Sequence, residues 1–296
     1  MNNFIKYFYG LQVDKVIYND KYYSFIYNGY IYKLYIHDDD SNIDVLYELN
    51  IRLTAYTLMS EIILNRNNDI ISSYNGISYI LIKIFVNVNK SISLEEISFV
   101  SKSLYTDKID VNWGNLWSNK IDYLEDLINE NGKKYPLIVD SFNYFVGMAE
   151  NAISYFNSVN IDSNYKYVIS HKSIRLNDNV ECLYNPLNII FDYRVRDIAE
   201  YVKNSFFSNN YNIFNELIFY LRNNYFSLME VKLFISRLLY PSFYFDMYED
   251  ILIDNKEEKI ILEVISKLDD YEQYLSKIIS FFKINYDIEE IEWLKK

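Results

Sequence analysis

Two short apolar runs, each ending on polar residues, constrain this chain more than any other feature. Tyr167, Val168 and Ile169 form a β-like segment that breaks into a polar loop, His171-Lys172-Ser173. Leu187, Ile189, Ile190 and Phe191 form a second run that stops at Asp192. A helix follows, with Ile198, Val202 and Phe206 at i, i+4 and i+8 on its apolar face. Strand ends of this kind deliver polar side chains to one edge, which makes Tyr167 to Phe206 the candidate site.

At 296 residues the chain is long enough for one large or two modest domains. Half of the residues are apolar and 24% are charged, the balance of a soluble globular protein. The 32 tyrosines, with heavy use of Ile, Asn and Lys, match AT-rich codons and carry no functional weight. A net charge of -12 leaves no basic stripe to displace counterions from phosphates, so nucleic acid is not an expected partner. Cys182 is the only cysteine, which excludes an internal disulfide and a multi-cysteine metal site and reads as a small core residue. Lys6 and Asp14 interrupt the N-terminal apolar residues, and the greasiest run, Tyr79 to Val86, contains Lys83. Neither a leader nor a membrane span is expected, and the chain reads as cytoplasmic.

Residues 1 to about 86 read as β-rich with one or two helices. Tyr22 to Tyr27 and Tyr30 to Ile36 flank Asn28-Gly29, and Ile70 to Tyr74 and Ile77 to Val86 flank Asn75-Gly76. Both dipeptides favour a type I′ hairpin turn. Tyr32, Leu34 and Ile36 share one strand face, and Ile31, Lys33 and Tyr35 the other. Between the hairpins a charged turn, Asp38-Asp39-Asp40-Ser41, leads into a helix with Val45, Leu49 and Leu53 on one face. From Val86 onward the pattern is helical. Ser93 with Glu96 and Ser227 with Glu230 fit capping boxes. Asn112 to Lys134 reads as polar with scattered aromatics, and a helix follows Pro136 with Phe142, Phe145, Met148, Ala149 and Ile153 buried. A hinge near Val86 to Asn89 divides the chain into domains 1–88 and 89–296.

Three quoted segments carry a resemblance. His171-Lys172-Ser173, Phe191-Asp192-Tyr193 and Asp197-Ile198-Ala199 resemble the H-G-D, I-D-F and D-L-A motifs of small-molecule kinases of the aminoglycoside phosphotransferase and choline kinase superfamily. Two longer runs narrow it to the spore-coat kinase-like CotS/YutH type. One is Asp192 through Arg196-Asp197-Ile198-Ala199-Glu200-Tyr201-Val202; the other is Ser236 to Pro241 with Tyr244 to Glu249. The resemblance implies an α+β, two-lobed protein kinase-like fold, with a small β-rich N-lobe and a larger, mostly helical C-lobe.

The same resemblance assigns roles. Phosphoryl transfer needs cations on the phosphates, carboxylates on Mg²⁺ and a base for the acceptor hydroxyl. Lys33 would contact ATP, with Glu48 of the next helix as its partner; Asp192 and Asp178 would hold metal. Asp192 reads equally as a structural carboxylate ahead of Arg194 and Arg196. Asp197 reads as a cap of its own helix, with Arg237 as its partner. His171 reads as the residue that holds the loop. Ser173 stands where the family has its catalytic aspartate, and a hydroxyl cannot replace a base worth ~10²–10⁴-fold. None of the six glycines forms a Gly-x-Gly-x-x-Gly loop.

The expected function is therefore a pseudokinase, associated with a spore coat or acting as a scaffold, with other coat or scaffold proteins as partners. Two alternatives stand beside it. One is an active small-molecule phosphotransferase using ATP and Mg²⁺, and the other a nucleotide-binding regulator without phosphoryl transfer.

Overall fold

The computed structural model describes residues 1–19, 21–37, 43–107, 109, 111–175, 178–210, 212–253 and 256–294. The charged turn at 38–41 lies outside them. Two asparagine-glycine turns set the first sheet. Asn28 and Gly29 have φ of 48° and 79°, and Asn75 and Gly76 have 52° and 78°, so both central residues of each turn are left-handed. That twist matches the flanking strands of a type I′ hairpin. Strands β1 (Ile17–Asn19), β2 (Tyr22–Tyr27), β3 (Tyr30–His37), β4 (Glu61–Ile63), β5 (Ser72–Tyr74) and β6 (Ile77–Ile84) follow the order β1-β2-β3-β6-β4, with β5 also on β6. All pairs are antiparallel.

Strand alternation sends β3 and β6 into two cores. Phe25, Tyr32, Leu34, Tyr79 and Leu81 pack with Phe4 and Ile5 of helix α1 (Asn2–Tyr9). Ile62, Ile80 and Ile82 pack on the other face with Tyr35 and with Leu46 and Tyr47 of α2 (Ile43–Thr54). Helix α2 is turned differently from the expected Val45, Leu49 and Leu53 face. Val45 is exposed, and the buried residues are Asn50 and Leu53. Asn50 wins its inward place by hydrogen bonding. Its amide donates to the Ser60 carbonyl at 2.7 Å and accepts from the Ile62 N–H at 2.9 Å, which fastens β4 to the helix.

Two compact units divide the chain. The first holds Met1–Leu104 with His171–Ser173 and Asn177–Ile190, and the second holds the remainder. The first unit continues past the expected hinge near residue 88, to Leu104. Helix α3 (Leu94–Ser101) stays with the first unit because later residues bind to it and to the loop before it. Ser91 bridges Asn179, the Val180 N–H donates to the Lys90 carbonyl at 2.8 Å, and the Tyr184 hydroxyl donates to Glu96 at 2.5 Å. Ser93 caps α3 by accepting from the Glu96 N–H, but the Glu96 carboxylate turns to Lys90 and Tyr184, so the expected reciprocal box is half made.

The second unit is mainly helical. Its helices are α4 (Trp113–Asn131), α5 (Pro136–Asn157), α6 (Arg196–Phe207), α7 (Ile213–Leu221), α8 (Leu228–Leu239), α9 (Ser242–Leu252), α10 (Ile261–Ile265) and α11 (Leu268–Lys283). A small sheet has the order β7 (Tyr105–Thr106), β8 (Tyr167–His171), β9 (Ile189–Asp192). Helix α4 occupies the stretch read as polar, and it buries Trp113, Trp117, Ile121 and Leu124 on one stripe. Ser227 and Glu230 open α8 with both bonds of a capping box. Among the described residues no helix is long and apolar enough to cross a membrane.

Helices α6, α8 and α9 are tied by buried charges. The Arg237 Nε of α8 donates to Glu200 of α6 at 2.6 Å. Lys203, with no solvent exposure, pairs with Glu200 at 3.0 Å and donates to the carbonyls of Arg237 and Tyr240 and to the Ser242 hydroxyl. Ser242 in turn donates to Glu200 at 3.0 Å. Burial pushes the Glu200 carboxyl up, but Lys203 and Arg237 outweigh it and hold it down to about 2. Burial pulls the Lys203 ammonium down to about 8 against the pull of Glu200, so both groups are charged at neutral pH.

Because the folded Glu200 value lies below its ordinary 4.5, its stabilisation is fully present above that pH and is lost as pH falls through 2. The expected size is roughly 3 kcal/mol. Denaturant unfolding at a series of pH values should therefore show Glu200→Gln less stable at neutral pH, with a flatter decline between pH 4.5 and 2.

Candidate functional site

His171 closes β8 within the first unit and Asp192 closes β9 within the second, and each unit carries its own candidate residues.

In the first unit, strand β3 turns Lys33 away from the Tyr32–Leu34 core. Its ammonium lies 4.2 Å from the centroid of the Tyr22 ring. Its carboxylate partner is Glu181, at 2.7 Å, from the 3₁₀ turn Val180–Tyr184. The expected pairing with Glu48 is not made. Glu48 is exposed on α2, and Lys33 is committed to Glu181. The side chains of the pair are only 13% and 8% exposed, so solvent screens it little. The Tyr35 hydroxyl adds a 3.4 Å bond to the same carboxylate, which, after burial, helps drive the Tyr35 phenol well above its ordinary value.

His171 is buried, and its Nε2 meets the Leu183 carbonyl at 3.0 Å. A carbonyl only accepts, so that nitrogen carries a proton and serves to hold the loop. Ser173 is clamped through its backbone by Asn188. The Ser173 N–H donates to Asn188 Oδ1 at 3.2 Å, and its carbonyl accepts from Asn188 Nδ2 at 2.9 Å. The Lys172 N–H donates to the Asn188 carbonyl at 2.7 Å. Asn188 is the organiser of this loop and was missed from sequence; a polar residue inside the apolar run Leu187–Phe191 was the available signal. Asp178 is half-buried and directly precedes Asn179, whose side chain accepts from the Glu181 N–H at 3.0 Å. No glycine stands between Asn19 and Tyr22, where β1 passes into β2.

In the second unit, Asp192 is 5% exposed at the end of β9. Its Oδ1 accepts from the Tyr193 N–H at 2.7 Å and from Trp113 Nε1 at 3.0 Å. Its Oδ2 accepts from Trp113 Nε1 at 3.2 Å and forms an ion pair with Arg196 Nε at 3.0 Å. Three protein groups thus engage this carboxylate, with the single Trp113 N–H shared between its two oxygens. Burial pushes the Asp192 carboxyl up, while Arg196 and Arg237 pull the other way. Arg237 stacks over the Trp113 ring at 5.1 Å, so the indole links α4 to the ion network of α6 and α8.

Asp197 is not paired with Arg237 as expected. Arg237 is taken by Glu200, and Asp197 faces Arg196 Nη1 at 3.3 Å. Nor does Asp197 cap α6. Val195 occupies the cap position, and Asp197 lies in the first turn, where its charge complements the helix dipole. Among the described residues no group of three or more His, Cys, Asp or Glu is arranged to hold a metal ion.

Known proteins agree with this architecture. A solved aminoglycoside phosphotransferase from Alicyclobacillus acidocaldarius superposes with a TM-score of 0.66, covering 93% of this chain and 94% of its own, at 10% identity. Spectinomycin phosphotransferase APH(9)-Ia, solved in complex with ADP and spectinomycin, gives 0.56 over 99% and 95% at 11% identity. Likeness at such identity shows the fold alone, here the α+β protein kinase-like one. In sequence the chain is 27% identical over 209 residues to the endospore coat-associated protein YutH of Bacillus subtilis (strain 168). That match covers 62% of this chain and 61% of the relative. The profile of the family described as "Spore coat putative kinase YutH" matches residues 2–281. The chain belongs to this spore-coat, kinase-like family.

Proposed function

We propose that this chain is a kinase-like protein that no longer transfers phosphate and that works as a scaffold associated with a spore coat. The observation that carries the reading is the state of Asp192. Kinases of this fold rely on a carboxylate there to hold Mg²⁺, an ion that takes near-octahedral oxygen ligands with accessible lone pairs. In this chain both oxygens of Asp192 face protein donors. Residues that already engage both oxygens do not fit a bound Mg²⁺ at that position. Ser173 supports the same reading, because a hydroxyl at the base position cannot take up the proton of an acceptor alcohol as a carboxylate would. The coat association rests on the family and on the curated relative's description.

Incubation with Mg-ATP and a panel of hydroxylated and amino metabolites is expected to give no phosphate transfer above background. Ser173→Asp alone should not restore it, since Asp192 would remain engaged. Turnover by the natural chain that Asp192→Ala abolishes would overturn the reading.

A structural Asp192 also has its own signature. Asp192→Asn leaves Arg196 and Arg237 short of a buried counter-charge and should lower stability by about 3–5 kcal/mol in denaturant unfolding. A change within error would remove the structural role assigned to this carboxylate.

A further inference from the structure

The Lys33 ammonium is held by an anion that the chain itself supplies from far along its length. Glu181 lies 148 residues away in sequence and reaches Lys33 at 2.7 Å. Glu181 is buried, 6% exposed as a residue, and is not a chance surface partner. The turn that presents it is fixed on several sides within the first unit. Asn179 caps the Glu181 N–H, and the Lys90 carbonyl accepts from the Val180 N–H at 2.8 Å. The Leu183 carbonyl meets His171 Nε2, and the Ser60 N–H donates to the Tyr184 carbonyl at 2.9 Å. The Tyr184 hydroxyl donates to Glu96.

Two donors converge on the Glu181 carboxylate, the Lys33 ammonium and the Tyr35 hydroxyl. An ammonium and a hydroxyl aimed at one point, with an aromatic ring behind the ammonium, form a small anion-binding site. We propose that Glu181 is the built-in occupant of an anion site centred on Lys33, and that it closes this site to the polyphosphate group of an outside ligand. The inference rests on the kinase-like reading above and adds to it a reason, internal to the first unit, for silence toward nucleotides.

The physics is competition. A carboxylate held in place by a fixed turn acts as a tethered ligand at high effective concentration. An outside anion then binds only in the fraction of molecules whose site is open, and its apparent affinity falls by that fraction. Neutralising Glu181 removes the competitor and leaves both donors in place.

The test is calorimetric titration of the full chain with sodium tripolyphosphate, ADP and adenosine. Glu181→Gln is expected to bind tripolyphosphate and ADP at least about tenfold more tightly than the natural chain, with adenosine unchanged. Adding Lys33→Met should abolish the gain. Asn179→Ala, which loosens the turn and keeps the carboxylate, should give a smaller gain of the same sign and covers the case in which Glu181→Gln fails to fold. Equal tripolyphosphate affinity in the natural chain and a natively melting Glu181→Gln would overturn the proposal. So would a gain for ADP without one for tripolyphosphate, which would mark a base pocket. Failure of the parent reading is seen separately, as phosphate transfer by the natural chain.

Discussion

A single buried charge network gives the second unit its order. Asp192 binds Arg196, Arg237 binds Glu200, and Glu200 binds Lys203, which also gathers the end of α8 and the start of α9. Trp113 joins in from α4 through its indole N–H and its face. The runs 192–202 and 236–249 meet in this network through Glu200 and Arg237. A charge removed from one run strands its counter-charge in the other, and an unpaired buried ion is far costlier than a lost surface pair. The runs therefore report on architecture more directly than on catalysis.

The first unit applies the same economy to a different problem. Its sheet orients Lys33 onto the face it shares with Tyr35, opposite Ile82, where an ammonium without an anion would be poorly solvated. An aromatic face and a carboxylate meet that need. In a phosphate-transferring protein the corresponding need is met partly by the nucleotide. Here the chain meets it internally, and Asp192 in the other unit is likewise satisfied by protein groups.

Local chemistry was legible in sequence and distant partners were not. Asn28-Gly29 and Asn75-Gly76 announced both hairpins because the turn type depends on those two residues alone. The capping box at Ser227 and Glu230 was equally local. Helix α4 could have been found from Trp113, Trp117, Ile121 and Leu124, but the polar residues between them hid the stripe. Asn50 was unreadable as a core residue, since its burial depends on the backbone of β4. Both Asp192 readings were in view from sequence, but its bond to Trp113, 79 residues earlier, was not. The exchange of Glu48 for Glu181 as the partner of Lys33 has the same origin in sequence distance.

The first unit is also discontinuous along the chain, and this bears on how it is made. Its sheet is complete by residue 84, yet the carboxylate that neutralises Lys33 and the turn that braces α3 belong to residues 177–190. A ribosome will have released the whole sheet long before those residues emerge. Loop closure across such a span must precede the contacts that reward it, a slow step by its topology. During that interval the nascent sheet holds its ammonium without a counter-ion and its α3 without a brace. The first unit is thus born as a dependent fragment, and its maturation waits on residues 177–190.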